Sequence, residues 1–240
     1  MIPRLTLIPR LTLFLLVAVS SWACDALPGR PDPADRYLRP DEVKDFGALY
    51  ATNCSGCHGE AGRLGPGTPV GDPLYVALAT PDYLQKIIGR GVPGTSMPSF
   101  GQEAGGTLTP EQVTVLARGL GERWSSPGAE KRAAQAPPLV APVSEAPPQS
   151  TAQVERGHRV YDQFCSRCHG GDGHGGEKAG SIVHPAYLGL VSDQSLRTTT
   201  LIGRRDLGMP SWHDVGQRPM SPDEIGDVVA WMASHRVPTQ

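Results

Sequence analysis

The sequence has little of several things that mark common functional classes. Its 240 residues carry a formal net charge of only −2, so no basic excess indicates a nucleic-acid-binding surface. The apolar run at 11–19 is too short to span a bilayer comfortably. Aromatic residues make up only 6% of the chain, which would leave each half with a thin hydrophobic core. A bound apolar group in each half would offset that shortage.

Cysteine is also scarce, and four of the five cysteines lie in two C-x-x-C-H boxes at 54–58 and 165–169. This pattern is typical of covalent c-type haem attachment. Two thiols three residues apart lie about one helical turn apart, so both can bond to the two vinyl groups on one porphyrin edge. The next residue, histidine, can then supply the proximal nitrogen to the iron. The predicted thioether residues are Cys54, Cys57, Cys165 and Cys168, and the predicted proximal ligands are His58 and His169.

A bare C-x-x-C has other uses, as a redox dithiol or as half of a zinc site. Neither use prefers a histidine directly after the second cysteine. Here both boxes have that histidine, and both continue with a glycine, Gly59 and Gly170. The repeat therefore predicts two covalently bound haem c groups, with zinc or dithiol chemistry as the lesser alternative.

The second axial ligand of each iron is predicted to be a methionine. Met97 follows Cys54 by 43 residues, Met209 follows Cys165 by 44, and each precedes Pro, Ser and an aromatic residue. A thioether is a soft, neutral ligand that favours ferrous iron. The alternative is that both are ordinary core methionines. Further candidates near the second haem are Met220, His174, His184 and His213.

The two halves also repeat in their helix signals. Helices are expected from Pro40 towards the first box, over 155–164 before the second, and over 83–89. Capping boxes at Thr109/Gln112 and Ser221/Glu224 predict the start of a last helix in each half. The stretch 201–204 (LIGR) resembles 87–90 (IIGR), which would make Arg90 and Arg204 equivalent. Either arginine could face a haem propionate, or simply be a solvated helix end.

Residues 1–24 have the basic, apolar and small-residue regions of a secretory signal. Ala23-Cys24 resembles a bacterial lipoprotein cleavage site, which predicts a lipid anchor on Cys24; ordinary cleavage near Ala23 would leave a free thiol instead. Residues 25–36 are predicted to be a tether. Residues 127–151 are rich in Pro and Ala and indicate a semi-extended linker. The predicted domains are then 37–126 and 152–240.

With these motifs in order, each half resembles a class I cytochrome c, and the chain resembles the tandem, diheme members. The resemblance implies an all-α fold in which the first and last helices of each domain cross beside the haem. It implies a glycine at that crossing, which fits Gly157, whereas the first half has Phe46 there. It also implies that a proline carbonyl orients the proximal histidine, for which Pro66 and Pro185 are candidates. The long linker predicts loose docking of the two domains.

A filled sixth position leaves no room for substrate, so we expect an electron carrier rather than an enzyme. The expected setting is the periplasmic face of a bacterial inner membrane, in a respiratory or photosynthetic chain. Partners would be a quinol-oxidising complex and a terminal oxidase, reductase or reaction centre, with no nucleic acid. The chain could be a tethered carrier or a fixed complex subunit. The alternative class is a diheme peroxidase with one open haem site, which the paired methionines disfavour.

Overall fold

A computed structural model describes residue 32 and residues 37–139 and 150–237. The predicted signal, Cys24 and most of the predicted tether lie outside the described residues, as does the part of the predicted linker at 140–149. The chain divides into two units, residues 1–42 and 43–240. In the described part of the first unit, Pro40–Glu42 forms a 3-10 turn. The second unit contains both haem boxes.

The described part of the second unit is built from α-helices and loops, without a β-strand among the described residues. The first half contains α1 to α6 and the second half α7 to α11. The helices are α1 Phe46–Asn53, α2 Ser55–His58, α3 Pro73–Leu78, α4 Pro81–Arg90, α5 Pro110–Trp124, α6 Pro127–Ala133, α7 Thr151–Phe164, α8 Ser166–His169, α9 Pro185–Leu188, α10 Asp193–Ile202 and α11 Pro222–Ala233. In the first half a short 3-10 turn, Gln102–Ala104, follows the Met-Pro segment. In the second half a similar turn, Arg205–Leu207, precedes it. None of the described helices combines the length and apolar character that crossing a bilayer requires.

The prediction that the first helix begins at Pro40 is wrong. Helix α1 begins at Phe46, because the Asp45 carboxylate accepts a hydrogen bond from the Ala48 N–H at 2.7 Å and caps the helix. In the second half α7 begins four residues earlier than expected, at Thr151, where the Ser150 hydroxyl caps it. Both boxes therefore follow directly from a capped helix.

The capping boxes at the start of α5 and α11 are confirmed. The Thr109 hydroxyl accepts from the Gln112 N–H, and the Gln112 side chain accepts from the Thr109 N–H. Ser221 and Glu224 form the same reciprocal pair. Each box satisfies two helix N–H groups that would otherwise have no intrahelical partner.

The first and last helices of each half meet through a glycine, but from opposite helices. In the second half, a Cβ on Gly157 of α7 would lie 2.0 Å from the Asp227 carbonyl oxygen and 2.7 Å from the Cβ of Trp231 in α11. In the first half, a Cβ on Gly119 of α5 would lie 2.2 Å from the ring of Phe46 in α1. Counted from the capping boxes, Gly119 stands at the position of Trp231. The bulky residue at the crossing therefore lies on the first helix in the first half and on the last helix in the second half.

A tryptophan nevertheless reaches the same place in both halves. Trp124 packs edge-on against Tyr50 at 5.3 Å, and Trp231 stacks on Tyr161 at 4.2 Å. Trp124, five residues beyond Gly119, is the last residue of α5, whereas Trp231 lies two residues before the end of α11. The similar ring positions preserve the aromatic pair beside each haem box.

The segment predicted to be an extended linker begins with packed structure. Pro127–Ala133 forms α6, which Ser126 caps and which packs on α3 with Ala129 only 1% exposed. Beyond it Leu139 is buried, and its carbonyl accepts from the Gln194 amide of α10 at 2.5 Å. Alanines favour helix and bury without an entropy cost, which explains why this part differs from our expectation.

Candidate haem-binding sites

The two boxes have the same backbone path. Cys54 and Cys165 each cap the preceding helix, with N–H groups that donate to the carbonyls of Tyr50 and Tyr161 at 2.8 Å. The box then forms a single helical turn, α2 or α8, that ends at the histidine. This turn places the second cysteine one turn from the first, as the spacing predicts.

The thiols of the boxes are unbridged. Burial, with the neighbouring Cys57, raises the pKa of the Cys54 thiol to about 11. Burial, with the neighbouring Cys168, raises that of Cys165 to about 12.

Each box histidine is oriented by a backbone carbonyl. The Nδ1 atom of His58 lies 2.7 Å from the Thr68 carbonyl oxygen, and that of His169 lies 2.8 Å from the Gly180 carbonyl oxygen. A proton on Nδ1 donated to that carbonyl leaves Nε2 free to bind a metal. The expectation that Pro66 and Pro185 supply these carbonyls is therefore wrong.

The loop after His58 approaches the box so closely that glycine is required. A Cβ on Gly65 would lie 2.3 Å from the Cys57 carbonyl oxygen, and one on Gly67 would lie 3.1 Å from His58 Nδ1. Burial lowers the pKa of His58 and so favours the neutral imidazole, the form that binds a metal. The Gly-Pro signal thus located the correct loop but not the residue that accepts the hydrogen bond.

The two Met-Pro loops are held in the same way. Each begins at a glycine with positive φ that ends a helix, Gly91 at 68° and Gly203 at 75°, six residues before its methionine. A Cβ on either glycine would lie 2.6–2.7 Å from backbone atoms of the Met-Pro segment. The residue after each glycine, Val92 or Arg204, donates its N–H to the methionine carbonyl at 3.1 Å.

These contacts correct the repeat that the sequence suggested. Gly203 corresponds to Gly91, not to Gly89, so the similarity between 87–90 and 201–204 is offset by two residues. Val92, not Arg90, is the counterpart of Arg204. Arg90 is exposed, whereas the Arg204 guanidinium binds Asp206.

The second half contains an apolar cavity beside its box. Cys165, Met209 and Pro210 contribute to its wall, with Leu196 of α10 and Val228 of α11. The residue predicted to attach the porphyrin and the residue predicted to ligate the iron therefore share one cavity. His169 is half-buried in the box beside it.

The other candidates in the second half differ in position. Met220 also lines the cavity, but its N–H donates to the Trp212 carbonyl as that of Leu108 does to Phe100, which fits the core role of Leu108. The three histidines do not line this cavity. His174, His184 and His213 are exposed; His184 caps α9, and His213 binds Asp214.

Comparison with known proteins adds the family. Residues 41–118 and 152–232 each match the family described as cytochrome c oxidase, cbb3-type, subunit III. The chain belongs to this family. As a member of the subunit III family with two matching segments, it is an all-α, tandem class I cytochrome c with two covalently bound haem c groups. Diheme cytochromes of this kind transfer electrons, and the zinc and dithiol alternatives are excluded.

The chain is also similar to curated proteins, at 27–28% sequence identity. The cbb3-type cytochrome c oxidase subunit FixP of Sinorhizobium medicae (strain WSM419) is 27% identical over 190 residues, which cover 75% of this chain and 57% of the relative. Subunit CcoP of Azospirillum sp. (strain B510) is 28% identical over 185 residues, which cover 69% and 54%. The chain thus spans a little over half the length of these relatives. A solved chain of the Kuenenia stuttgartiensis reducing HAO-like protein complex aligns over 84% of this chain and all of its own, with 20% identity and a TM-score of 0.45.

Proposed function

We propose that the chain moves single electrons through two haems, each with one histidine and one methionine as axial ligands. The ligand pairs are His58 with Met97 and His169 with Met209, within proposed domains 37–126 and 152–240. The observation that carries the proposal is the second-half cavity, whose wall contains both Cys165 and Met209. The matching glycine contact at the start of each Met-Pro loop extends the assignment to Met97.

The haem supplies the redox change, and the protein supplies its surroundings. The box cysteines would hold the haem covalently, and the carbonyls of Thr68 and Gly180 hold the histidine rings in one orientation. The sulfurs of Met97 and Met209 would supply the second ligand of each iron and so keep substrate and water from it. The apolar wall formed by residues such as Leu196 and Val228 lowers the local dielectric.

We propose that the redox partners are a quinol-oxidising donor and a membrane-bound terminal oxidase. The support is family membership, together with relatives that are named as oxidase subunits. The chain would act on the periplasmic side, as a carrier or as a subunit of the complex, with lipidated Cys24 as its membrane anchor. Co-purification with an oxidase after mild detergent extraction would favour the subunit.

Carbon monoxide tests the proposal. The reduced, purified two-haem protein should not bind carbon monoxide at either iron, because a methionine fills each sixth position. Met97→Ala and Met209→Ala should each open one haem, and the optical spectrum should show one carbon monoxide adduct per protein. Prompt binding by one haem of the unmodified protein would contradict the proposal and favour a peroxidase-like or sensor function.

A further inference from the structure

The loop that orients His58 and the turn that leads into Met209 are joined by charged side chains. We propose that Arg204, Arg205 and Asp206 are positioning residues that fix the Met209 loop to the first half and hold the two haem sites in one relative geometry. Asp72 is their partner in the first half. The inference rests on the proposed function in one respect, that Met209 ligates an iron.

On the first-half side, the contacts fall on the loop between His58 and α3. This loop contains Thr68, whose carbonyl orients the histidine ring. It also contains Leu64 and Gly65, and it ends at Asp72, which caps α3. A group that binds this loop therefore binds the support of the first proximal ligand.

On the second-half side, the contacts fall on Arg204 and on the 3-10 turn Arg205–Leu207, which Gly208 separates from Met209. The Met209 N–H donates to the Arg204 carbonyl at 2.9 Å, and the Arg204 N–H donates to the Met209 carbonyl at 3.1 Å. This reciprocal pair closes the turn into a small rigid loop. Any movement of Arg204 is thereby transmitted to the backbone of the methionine.

Two sets of hydrogen bonds connect the loop and the turn. The Arg204 guanidinium binds the Asp206 carboxylate at 2.9 and 3.0 Å and the Gly65 carbonyl oxygen at 3.0 Å. The Asp206 carboxylate also accepts from the Leu64 N–H at 2.8 Å. The Arg205 guanidinium binds both oxygens of Asp72 at 2.9–3.2 Å.

The carboxylates of these pairs are more buried than those of ordinary surface ion pairs, whereas the Arg204 and Arg205 side chains are 16% and 32% exposed. The Asp206 side chain is 3% exposed and that of Asp72 is 9% exposed. Exposed pairs contribute little to stability, whereas removing one partner of a buried pair leaves an uncompensated charge. Leu64 also has φ of 65°, a conformation that is costly for a residue with a side chain, and Asp206 holds its N–H there.

The Met-Pro loop of the first half has uncharged residues at the equivalent positions. Val92 and Gly94 stand at the positions of Arg204 and Asp206. The charged contacts therefore act on one methionine loop only. Loss of these contacts should therefore loosen the methionine ligand of the second haem, Met209, and leave that of the first, Met97, unaltered.

The experiment compares Asp206→Ala and Arg205→Gln with Glu103→Gln, which removes a charge from the exposed turn Gln102–Ala104. In the ferric two-haem protein we measure the rate at which imidazole displaces the axial ligand of each haem. Met209→Ala assigns the kinetic phases, because its second haem is already open. We expect about tenfold faster displacement at the second haem in both variants, the effect of losing a charge-assisted hydrogen bond, and no change at the first or in Glu103→Gln.

Unchanged rates, or equal changes at both haems, would overturn the inference. A double-mutant cycle with Asp72→Asn and Arg205→Gln gives a second readout in the unfolding midpoint; Asn is as good a helix cap as Asp. A coupling free energy between the two substitutions would support the proposed contact between the halves, and strictly additive effects would contradict it. If the unmodified second haem binds carbon monoxide, the methionine assignment fails, while the cycle still tests the contact between the halves.

Discussion

At the scale of single residues, the methionine loops depend on the glycines that start them. Gly203 and Gly208 both have positive φ, at 75° and 87°, so both resist substitution by a residue with a side chain. They differ in their surroundings. A Cβ on Gly203 would lie 2.6 Å from the Met209 carbonyl oxygen, whereas one on Gly208 would meet nothing within 4 Å.

Gly203→Ala should therefore displace Met209, whereas Gly208→Ala should only add backbone strain of about 1–2 kcal/mol. The measurement is the charge-transfer absorbance of methionine-ligated ferric haem, together with carbon monoxide binding to the reduced protein. We expect half of that absorbance to be lost in Gly203→Ala and all of it to remain in Gly208→Ala. Equal spectra in the two variants would show that the close contact does not position the methionine.

Part of the residue-level site was predictable and part was not. The box residues and both methionines could be proposed from the sequence, because covalent and axial ligation demand particular residue types at particular spacings; their ligation stays a prediction. The carbonyls of Thr68 and Gly180 were not found, because every residue has a backbone carbonyl and no residue type marks the one that accepts this hydrogen bond. The offset that separates Arg90 from Arg204 was missed because α4 continues through Gly89 and is capped at Gly91, whereas α10 is capped at Gly203.

At the scale of elements, the crossing glycines carry the packing of the first and last helices. Gly157→Ala would push a methyl group into the backbone of α11, and overpacking of this kind costs about 1–3 kcal/mol. Gly226 lies within α11 with nothing within 4 Å of an added Cβ, so Gly226→Ala should stabilise by about 0.5–1 kcal/mol. Chemical denaturation of the two variants should show opposite signs; the same sign in both would contradict the close crossing.

The stability of the first turn of α11 should depend on pH. A hydrogen bond from Arg218 is the main cause that lowers the pKa of Glu224 from its ordinary 4.5 to about 2. Because the folded-state pKa is lowered, the carboxylate stabilises the helix above about pH 4.5, and this contribution is lost as the pH falls towards 2. Since Arg218 is half exposed, we expect about 1–2 kcal/mol rather than the full shift.

Glu224→Gln should remove this pH dependence and keep the capping box, since Gln112 fills the same position in α5. The free energy of unfolding of the variant should then fall less steeply between pH 4.5 and pH 2 than that of the unmodified protein. Parallel profiles would show that the Arg218 contact does not matter for stability.

At the scale of the whole molecule, the N-terminal anchor is the remaining prediction. Cys24→Ala should release the protein from the membrane fraction if a lipid on this residue is the anchor. Fractionation of cells that express the two forms, with haem absorbance as the marker, measures the distribution. Membrane retention of the variant would mean that partner proteins hold the chain there.

The arrangement of the whole molecule was the least predictable level. The tandem all-α organisation followed from the repeated boxes, because each box needs its own shell of helices. The prediction that the two domains dock loosely is wrong, because Arg204 binds the Gly65 carbonyl and Arg205 binds Asp72. The sequence around these contacts shows only charge and glycine. The Pro- and Ala-rich composition after Trp124 indicated a spacer, yet Ala129 and Leu139 bury side chains that composition alone would leave in solvent.

The exchange of large and small residues at the helix crossings makes the two halves unequal as modules. A hybrid domain with α1 from the first half and α11 from the second would bring Phe46 and Trp231 to one crossing, and the two rings would compete for the same volume. The reverse hybrid would bring Gly157 and Gly119 together and leave a void. Recombination between the halves of this gene would therefore yield poorly packed domains, so each half is constrained to keep its own pair of helices.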